Sequence, residues 1–305
     1  MPVVVLRMEG SAERLDRYLA QELEGVSRSA AQRLIRTGAV LVNDAPAKAS
    51  YRPEIGDIIR IELPEESDDI PLAESIPLRV LYEDEHLLVI DKDAGVVVHP
   101  GAGHRSGTLV NALLAYRRDI GAAFGDSERP GIVHRLDLAT TGALVVAARP
   151  EVRRALQRQF KSRDVEKRYL ALVYGDPMPP RGAIEAPIGR HPVHRKRMAV
   201  LTEGGRPART EYVVRERLSH AALMELLLLT GRTHQIRVHL SAIGYPVVGD
   251  KVYGPRRERI AAPRQMLHSW QLGFTHPVTG QRLVVEAPMP KDMDAVLARL
   301  RAQSE

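Results

Sequence analysis

Short apolar runs of β-strand length dominate the chain from Leu78 onward, and this pattern limits the possible folds more than any other feature. We predict strands at residues 87–90, 95–98, 132–133, 143–148, 169–174, 210–214 and 222–229. Helical periodicity intervenes at residues 109–118, 151–161 and 234–243. Many short strands with few helices between them predict an α+β fold, built on a mixed, largely antiparallel sheet rather than a doubly wound parallel one.

Residues 12–60 show a different pattern, that of a small module with two helices followed by a β-hairpin. Apolar residues recur at helical spacing between Leu15 and Leu23, and a second helix is predicted to end at Gly38. The apolar period then becomes two around the turn-type pair Asn43-Asp44. The second helix would carry three arginines, which are Arg28, Arg33 and Arg36.

The length of the chain indicates more than one domain. Its 305 residues exceed the roughly 150 residues of an average domain. Residues 62–77 are acidic, contain prolines and have no Lys or Arg, which is typical of a solvated linker. We therefore predict a small domain at 1–61, an acidic linker at 62–77 and a large domain at 78–305.

The charge of the chain favours a polyanionic partner. The net charge is +6 and the isoelectric point is about 9.6, a balance that promotes association with nucleic acids. Residues 189–197 contain no acid, and strand-like runs flank them. They predict a basic loop that could lie on phosphates through Arg190, Arg195, Lys196 and Arg197.

Composition also excludes several kinds of chemistry. The chain has no cysteine, so disulfides, thiolate metal sites and a cysteine nucleophile are impossible. No apolar run approaches the roughly 20 residues that a membrane span needs, and no signal-peptide pattern is visible at the N-terminus. We expect a cytoplasmic protein that does not bind membranes.

Residues 131–142 are the strongest candidate for a working site. Arg135 and Asp137 follow a short apolar run, so a loop at the end of a strand would present both charges. An isolated Arg-x-Asp is more often a structural ion pair that fixes a loop, because structural pairs also perturb titratable groups. Two other segments, residues 167–175 and 229–254, change this balance in favour of a functional site.

Together the three segments resemble the signature blocks of the RluA-type pseudouridine synthases, in the same order and with the same spacing. Residues 98–103, 190–192 and 198–200 are most similar to the RluD branch of that family, whose members modify large-subunit rRNA. The N-terminal module resembles the S-four RNA-binding domain. The resemblance implies a pseudouridine synthase sheet with a central cleft. It also implies that the protein isomerises specific uridines, with 23S rRNA as the favoured substrate. The reaction would need no metal, redox cofactor or nucleotide cofactor.

The resemblance also assigns roles to individual residues. Asp137 matches the essential carboxylate, and Arg237 matches its partner on a helix that we expect Thr233 to open, with Ile236, Leu240 and Ile243 facing inward. Tyr169 matches the residue that stacks on the base, and Arg135 matches the arginine that fills the gap left by the flipped nucleotide. Arg28, Arg33 and Arg36 would lie on the RNA-facing helix of the S-four module.

Three other interpretations stay open at this point. A metal hydrolase could use His134, His234 and His239, although no His-x3-His or His-Glu-x2-His motif occurs. A nucleotide-binding protein could use Gly101-Ala102-Gly103, although the third glycine of a Rossmann motif is missing. A non-catalytic rRNA-binding or assembly factor could keep the same fold.

Overall fold

The structure is a computed structural model that describes residues 3–10, 14–23, 26, 28–63, 71–100, 104, 106–125, 127, 129–194, 197–257 and 259–303. The chain divides into two compact units, Met1–Asp68 and Asp69–Glu305. Within the described ranges, no helix combines the length and the apolar composition needed to cross a membrane.

The first unit packs two helices on a small sheet. Its elements are β1 (Val3–Arg7), α1 (Leu15–Glu22), α2 (Arg28–Arg36), β2 (Val40–Val42), β3 (Ala45–Pro46) and β4 (Ile58–Glu62). The strands form an antiparallel sheet in the order β1-β4-β2-β3. Asn43 and Asp44 both have positive φ, as a two-residue hairpin turn between β2 and β3 requires.

The predicted helical spacing in this unit is confirmed, whereas the predicted extent of its sheet is wrong. Leu15, Leu19 and Leu23 are buried in one cluster with α2 and the strands, and Gly38, at φ +82, follows the end of α2. The sheet is larger than the predicted hairpin because β1, which precedes residue 12, pairs along the whole of β4. The run of valines in β1 has strong strand propensity, but three of its five residues are exposed.

The second unit contains eleven strands and five helices in its described residues. Its elements are β5 (Val80–Glu83), β6 (Leu87–Lys92), α3 (Leu109–Tyr116), α4 (Arg118–Phe124), β7 (Thr141–Ala147), α5 (Pro150–Ser162), β8 (Glu166–Tyr174), β9 (Arg181–Glu185), β10 (Ile188–Arg190), β11 (Met198–Val200), β12 (Arg209–Leu218), β13 (Ala221–Leu228), α6 (Gln235–Ala242), β14 (Leu267–Thr275), β15 (Arg282–Glu286) and α7 (Lys291–Ala302).

Nine of these strands form one mixed sheet, which confirms the predicted fold class. Its order is β5-β6-β7-β14-β8-β13-β12-β9, with β15 paired to β14. Among the described residues only β7 and β14 run parallel, and β10 and β11 form a separate hairpin. The parallel pair needs Gly142, because a Cβ at that residue would lie 2.1 Å from the Ser269 carbonyl oxygen.

The sheet is covered on both faces, and this explains why its central strands read as continuous apolar runs. On one face, α3, α4 and α6 pack on alternate residues of β6, β7, β8 and β13. On the other face, α5 packs against β6, β7 and β14, and α7 packs against β8 and β13. The candidate site lies on the face covered by α3, α4 and α6.

Two predicted strands are absent from the structure. Residues 95–98 are an irregular segment, because the carbonyls of Val97 and Val98 accept hydrogen bonds from the first amides of α3 instead of pairing with a strand. Residues 132–133 contribute a single bridge, between Ile132 and Val146. An apolar run predicts burial in both places, but burial here occurs without a β-ladder.

Part of the predicted linker is attached to the larger unit. The Asn111 side-chain amide donates to the Leu72 carbonyl at 2.7 Å, and the Glu74 amide donates to the Asn111 carbonyl at 2.9 Å. The Glu74 carboxylate also accepts a hydrogen bond from the amide of Gly107. Residues 71–76 therefore dock on the N-terminal end of α3, and residues 64–70 lie outside the described ranges.

Candidate active site

A cleft of about 520 Å³ opens on the sheet face covered by α6. Three segments line it: the loop before β7, the end of α5 with the start of β8, and residues 228–237. The cleft therefore brings together all three sequence blocks that predicted a working site. Four of the predicted site residues line it, which are Arg135, Asp137, Tyr169 and Arg237.

Asp137 and Arg237 form an ion pair in the cleft. Arg237 Nη1 donates to Asp137 Oδ2 at 2.9 Å, across a sequence separation of 100 residues. The other carboxylate oxygen, Oδ1, has no hydrogen bond from the described residues, and His234 Nε2 lies 3.9 Å away from it. The Asp137 side chain keeps 21% of its surface exposed. One carboxylate oxygen is thus held by a cation while the other can meet a molecule in the cleft.

A second carboxylate fixes the position of Arg237. Arg237 donates from Nε to Asp250 Oδ2 at 2.7 Å and from Nη2 to Asp250 Oδ1 at 3.0 Å, a bidentate geometry that holds the guanidinium plane. Asp250 is fully buried and also accepts hydrogen bonds from the amides of Val252 and Tyr253. The Tyr253 ring packs 5.0 Å from the guanidinium carbon.

Burial and pairing act in opposite directions on these charges. Burial by itself would lower the pKa of Arg237, but its contacts with Asp250 and Asp137 outweigh that effect and raise it. Burial would likewise raise the pKa of Asp250, but the hydrogen bonds and charge of Arg237 lower it. Both groups therefore stay charged at neutral pH, and Arg237 remains a fixed cation beside Asp137.

The helix that carries Arg237 begins differently from the prediction. Thr233 does not cap it; His234 takes the N-cap position with φ +56 and makes no side-chain capping bond. Instead, His234 Nδ1 hydrogen-bonds to the Tyr253 hydroxyl at 2.8 Å. Ile236 and Leu240 are buried as predicted, but Ile243 is 37% exposed because α6 ends at Ala242, before that residue.

Two buried cations hold the loop that presents Asp137. Lys92 is 1% exposed and its ammonium donates to the carbonyls of Asp93, Val96 and Leu138 at 2.7, 2.8 and 3.2 Å. Arg264 donates to the Ala139 carbonyl at 3.1 Å. Burial lowers the pKa of Lys92 to about 8, and the charge of Asp137 opposes this shift. The loop backbone is therefore fixed on the C-terminal side of Asp137.

Replacing Lys92 with Met should misplace this loop. Three carbonyls would lose a charged donor in a buried environment, so we expect the free energy of unfolding to fall by about 1–3 kcal/mol. We also expect kcat to fall at least about tenfold, because small misplacements of a reacting group are costly. Thermal unfolding and steady-state kinetics measure both effects. Lys291→Met, at an exposed lysine, should change neither; wild-type kcat in Lys92→Met would contradict the positioning role.

Tyr169 faces the cleft from β8, as its alternation with Ala171 and Val173 predicts. These three residues share the cluster on the cleft face, whereas Leu170 and Leu172 pack on the opposite face. Burial raises the pKa of Tyr169 to about 12; a hydrogen bond from Ser269 opposes this shift and the charge of Asp137 adds to it. The ring is therefore neutral at physiological pH and offers an aromatic surface beside the carboxylate.

The predicted RNA-binding residues are spread over both units. Arg135 is exposed at the cleft and has neither a hydrogen bond nor an ion pair with the described residues. Exposed residues of α2 and of the β10–β11 hairpin include Arg33, Arg36, Arg190 and Arg197. Arg28 is also exposed, but its Nε donates to the buried Asp16 at 3.0 Å. Arg195 and Lys196 lie outside the described residues.

The histidines proposed for a metal site have other partners. His134 Nε2 accepts a hydrogen bond from the Val145 amide. His239 contacts the Thr210 hydroxyl and the Ala186 carbonyl. Within the described ranges, no group of His, Asp and Glu side chains could hold a metal ion. The glycines of the Rossmann-type alternative, residues 101–103, are not among the described residues.

Three residues of this site carried no prediction. Asp250 and Tyr253 lie inside the block at 229–254, but the sequence predicted no role for either residue. Lys92 is the last residue of β6, two positions after its apolar run. Lys92 and Asp250 are charged residues that end or follow an apolar run, and a charge in such a position needs a partner. That pattern was the signal that could have identified them.

Comparisons with known proteins identify the family. The sequence model described as RNA pseudouridylate synthase matches residues 86–242, and the S4 domain matches residues 13–59. The chain is 48% identical over 296 residues to ribosomal large subunit pseudouridine synthase D of Nitrosomonas europaea, covering 94% of this chain and 84% of that one. It is 43% identical to the protein of the same name from Pseudomonas aeruginosa, covering 97% and 95%.

A solved structure gives the same result. Human RNA pseudouridylate synthase domain containing 1 is 30% identical, with a TM-score of 0.58, over 75% of this chain and 97% of that one. The match between the sequence model and residues 86–242 includes the Asp137 loop, β8 and Arg237, and the full-length relatives also cover the N-terminal unit. The chain therefore belongs to the RNA pseudouridylate synthase family.

Proposed function

We propose that this RNA pseudouridine synthase isomerises specific uridines in large-subunit (23S) rRNA, and that Asp137 performs the chemical step on a flipped-out nucleotide. The single observation that carries the catalytic part is the Asp137–Arg237 pair in a cleft that also contains the Tyr169 ring. The substrate part is supported by the names of the relatives from Nitrosomonas europaea and Pseudomonas aeruginosa. An rRNA substrate would place the reaction in the cytoplasm.

The chemistry needs a carboxylate and no cofactor. Isomerisation breaks the bond between N1 of uracil and C1′ of ribose, turns the base, and joins C5 to C1′. The C5 proton is lost and N1 gains a proton, so the atoms and electrons balance within the nucleotide. A carboxylate can start this reaction by attacking C1′ or by removing a sugar proton. Asp137 Oδ1, which makes no hydrogen bond with the described residues, is the oxygen available for either route.

The nucleotide must leave its stack before Asp137 can reach C1′. In our proposal, the detached base rests on Tyr169, since stacking on an aromatic ring contributes ~1–3 kcal/mol per base. Arg135 is exposed beside the cleft and has no partner among the described residues, so it can enter the space that the nucleotide leaves. Arg237 would keep the carboxylate oriented while the base turns.

RNA affinity would come from basic surfaces outside the cleft. On the larger unit, Arg190 and Arg197 are exposed on the β10–β11 hairpin. We expect Arg195 and Lys196, which precede Arg197 in the sequence, to contribute RNA contacts through their charge. On the S4 domain, α2 presents Arg28, Arg33 and Arg36. We propose a division of labour in which residues 1–61 bind RNA, residues 62–77 join the domains and residues 78–305 catalyse.

Removing the S4 domain should weaken RNA binding without abolishing isomerisation. The hydrogen bonds of Leu72 and Glu74 with the larger unit require a truncation that begins near Asp69 rather than Pro77. We expect weaker affinity and a shallower dependence on salt, because phosphate contacts are lost. Affinity and turnover should be measured at two salt concentrations.

A full-length variant provides the matched control. Arg33→Gln combined with Arg36→Gln removes two exposed charges of α2 and should reproduce part of the change in salt dependence. Equal affinity and an unchanged salt slope in both proteins would show that the S4 domain does not hold the RNA. An insoluble truncation with normal binding by the double variant would contradict the division into separate domains.

Chemical mapping of pseudouridine in cells tests the function itself. RNA from cells that lack this chain should lose pseudouridine at one or a few positions of large-subunit rRNA, and the wild-type gene should restore them. Loss confined to tRNA would show that the proposed substrate is wrong. An unchanged pseudouridine map would contradict the proposed cellular activity.

A further inference from the structure

The cleft contains a largely buried lysine that forms no ion pair with the described residues. Lys167 of β8 is 7% exposed and lines the cleft with Asp137 and Tyr169. Among the residues that the structure describes, none accepts a hydrogen bond from its ammonium or forms an ion pair with it. Its ammonium lies over the ring of Phe160, whose centroid is 5.9 Å from Nζ. The lysine therefore reaches the cleft with its charge not neutralised by an acid of the described residues, whereas buried charges are normally paired.

The surroundings of Lys167 are also positively charged. Burial lowers the pKa of Lys167 to about 8, and the positive charge of Arg163 adds to this shift. His134, which stacks on Phe160 at 4.6 Å, is neutral because burial and Lys167 lower its pKa to about 3. Lys161 and Arg163 line the same end of the cleft and are exposed. Asp137 is the one acid among the described residues that line the cleft, so this end of the cleft is positively charged.

The neighbouring residue Arg168 shows the opposite situation. Its side chain points to the other face of β8, where it pairs with Glu166 and with the buried Glu225. Adjacent residues of a strand alternate between faces, so Arg168 forms ion pairs on one face of β8 and Lys167 lies on the other face. Lys167, which forms no ion pair with the described residues, is the residue that lines the cleft.

The position of Lys167 fits one part of a nucleotide. Lys167 and Tyr169 lie two residues apart on the same face of β8, a separation of about 7 Å along the strand. That separation is comparable with the distance between the base of a nucleotide and its own phosphate. A base on the Tyr169 ring would therefore bring a phosphate of the same nucleotide to the end of the cleft that contains Lys167.

We propose that Lys167 binds a phosphate that flanks the flipped nucleotide, with Arg163 on its outer side. The inference rests on the proposed function, because it takes the base to lie on Tyr169. Lys167 acts on binding and positioning: it fixes the backbone on one side of the ribose so that C1′ faces Asp137. The exposed arginines elsewhere contribute affinity for any RNA, whereas Lys167 contacts only a nucleotide that has left its stack.

Neutral phosphate linkages test this contact. RNA oligonucleotides with a single methylphosphonate on the 5′ or the 3′ side of the target uridine would be bound to wild type and to Lys167→Met. In the wild type, one of the two linkages should weaken affinity about tenfold or more. In Lys167→Met, affinity for unmodified RNA should fall by a similar factor, and the same linkage should cause little further loss.

Control variants separate this role from others. Lys161→Met changes an exposed lysine of the same cleft. In this variant the methylphosphonate should weaken RNA affinity by the same factor as in wild type. Lys167→Arg should keep most of the affinity and turnover, because it keeps the charge; loss of turnover with normal affinity would indicate proton transfer by Lys167 and overturn the proposal. Thermal stability of Lys167→Met should equal or exceed that of wild type, since a largely buried charge without an ion pair is removed.

The outcomes distinguish the two proposals. If each methylphosphonate linkage weakens the RNA affinity of Lys167→Met by the same factor as it weakens that of wild type, the phosphate contact is overturned. This holds even if the wild type forms pseudouridine normally. Failure of the wild type to isomerise the unmodified RNA would contradict the proposed substrate instead. The affinity measurements do not depend on turnover, so they test Lys167 in either case.

Discussion

Replacing Asp137 with Ala should abolish uridine isomerisation while RNA affinity stays within a few fold of wild type. In our proposal the carboxylate starts the cleavage of the bond between base and sugar, so we expect turnover to fall by at least about a thousandfold. Affinity comes mainly from basic side chains on phosphates, which this change leaves in place. Single-turnover formation of pseudouridine and equilibrium RNA binding measure the two effects separately.

Two further variants sharpen this result. Asp137→Asn keeps the size of the side chain and an oxygen that can accept a hydrogen bond from Arg237. Loss of activity in this variant would therefore show that the negative charge of the carboxylate is required. Asp93→Asn, at an exposed acid paired with Arg79, should retain wild-type turnover. Turnover of Asp137→Ala within tenfold of the parent would exclude this residue as the catalytic group.

Replacing Arg237 with Lys should reduce turnover about a hundredfold or more. Arg237 uses Nε and Nη2 for Asp250 and Nη1 for Asp137, and an ammonium cannot reproduce that planar arrangement. Because Asp250 is fully buried, Arg237→Met should also lower the free energy of unfolding by ~3–5 kcal/mol, the cost of leaving a buried charge unpaired. Kinetics and denaturant unfolding test these two expectations.

The control for this prediction is Arg232→Lys, which changes another arginine that lines the cleft. Arg232 donates from Nε to the Pro207 carbonyl and pairs with neither Asp137 nor Asp250, so its replacement should have a small effect. Normal turnover of Arg237→Lys would mean that the pair with Asp137 does not contribute to catalysis.

The sharing of one arginine by two carboxylates has a chemical consequence. Asp250, Arg237 and Asp137 carry a net charge of −1 between them, so Arg237 does not fully neutralise the acid in the cleft. Asp250 takes the two donors that define the guanidinium plane, and Asp137 receives the remaining one. The arrangement orients Asp137 and leaves its second oxygen without a hydrogen bond from the described residues, as both proposed routes require.

The sequence predicted the parts of the fold that follow a clear apolar period. The helices of the S4 domain, the central strands β6, β7, β8 and β13 and the mixed sheet are confirmed. It did not predict β14, although that strand lies between β7 and β8. Two buried polar residues, His268 and Ser269, interrupt its apolar pattern, and their partners Thr141 and Ala143 are more than 120 residues away.

The residues of the site also divide into those that the sequence predicted and those that it did not. The proximity of Asp137, Arg237 and Tyr169 followed from a resemblance that spans three blocks of sequence, and the structure brings them to one cleft. Lys92 and Asp250 could not be assigned because their roles depend on contacts with distant backbone or side chains. The prediction that Thr233 opens α6 was wrong because His234, in the αL conformation, takes the N-cap position, and its side chain bonds to Tyr253, a contact that the sequence does not reveal.

The most direct test is the structure of the enzyme bound to a substrate RNA with 5-fluorouridine at the target position. Fluorine at C5 replaces the proton whose loss completes the reaction, so the nucleotide should remain in the cleft. We predict a flipped nucleotide with its base against Tyr169 and C1′ in contact with the Asp137 carboxylate. A target base still stacked in the RNA, or a ribose bound away from Asp137, would contradict the assignment of this cleft as the catalytic site.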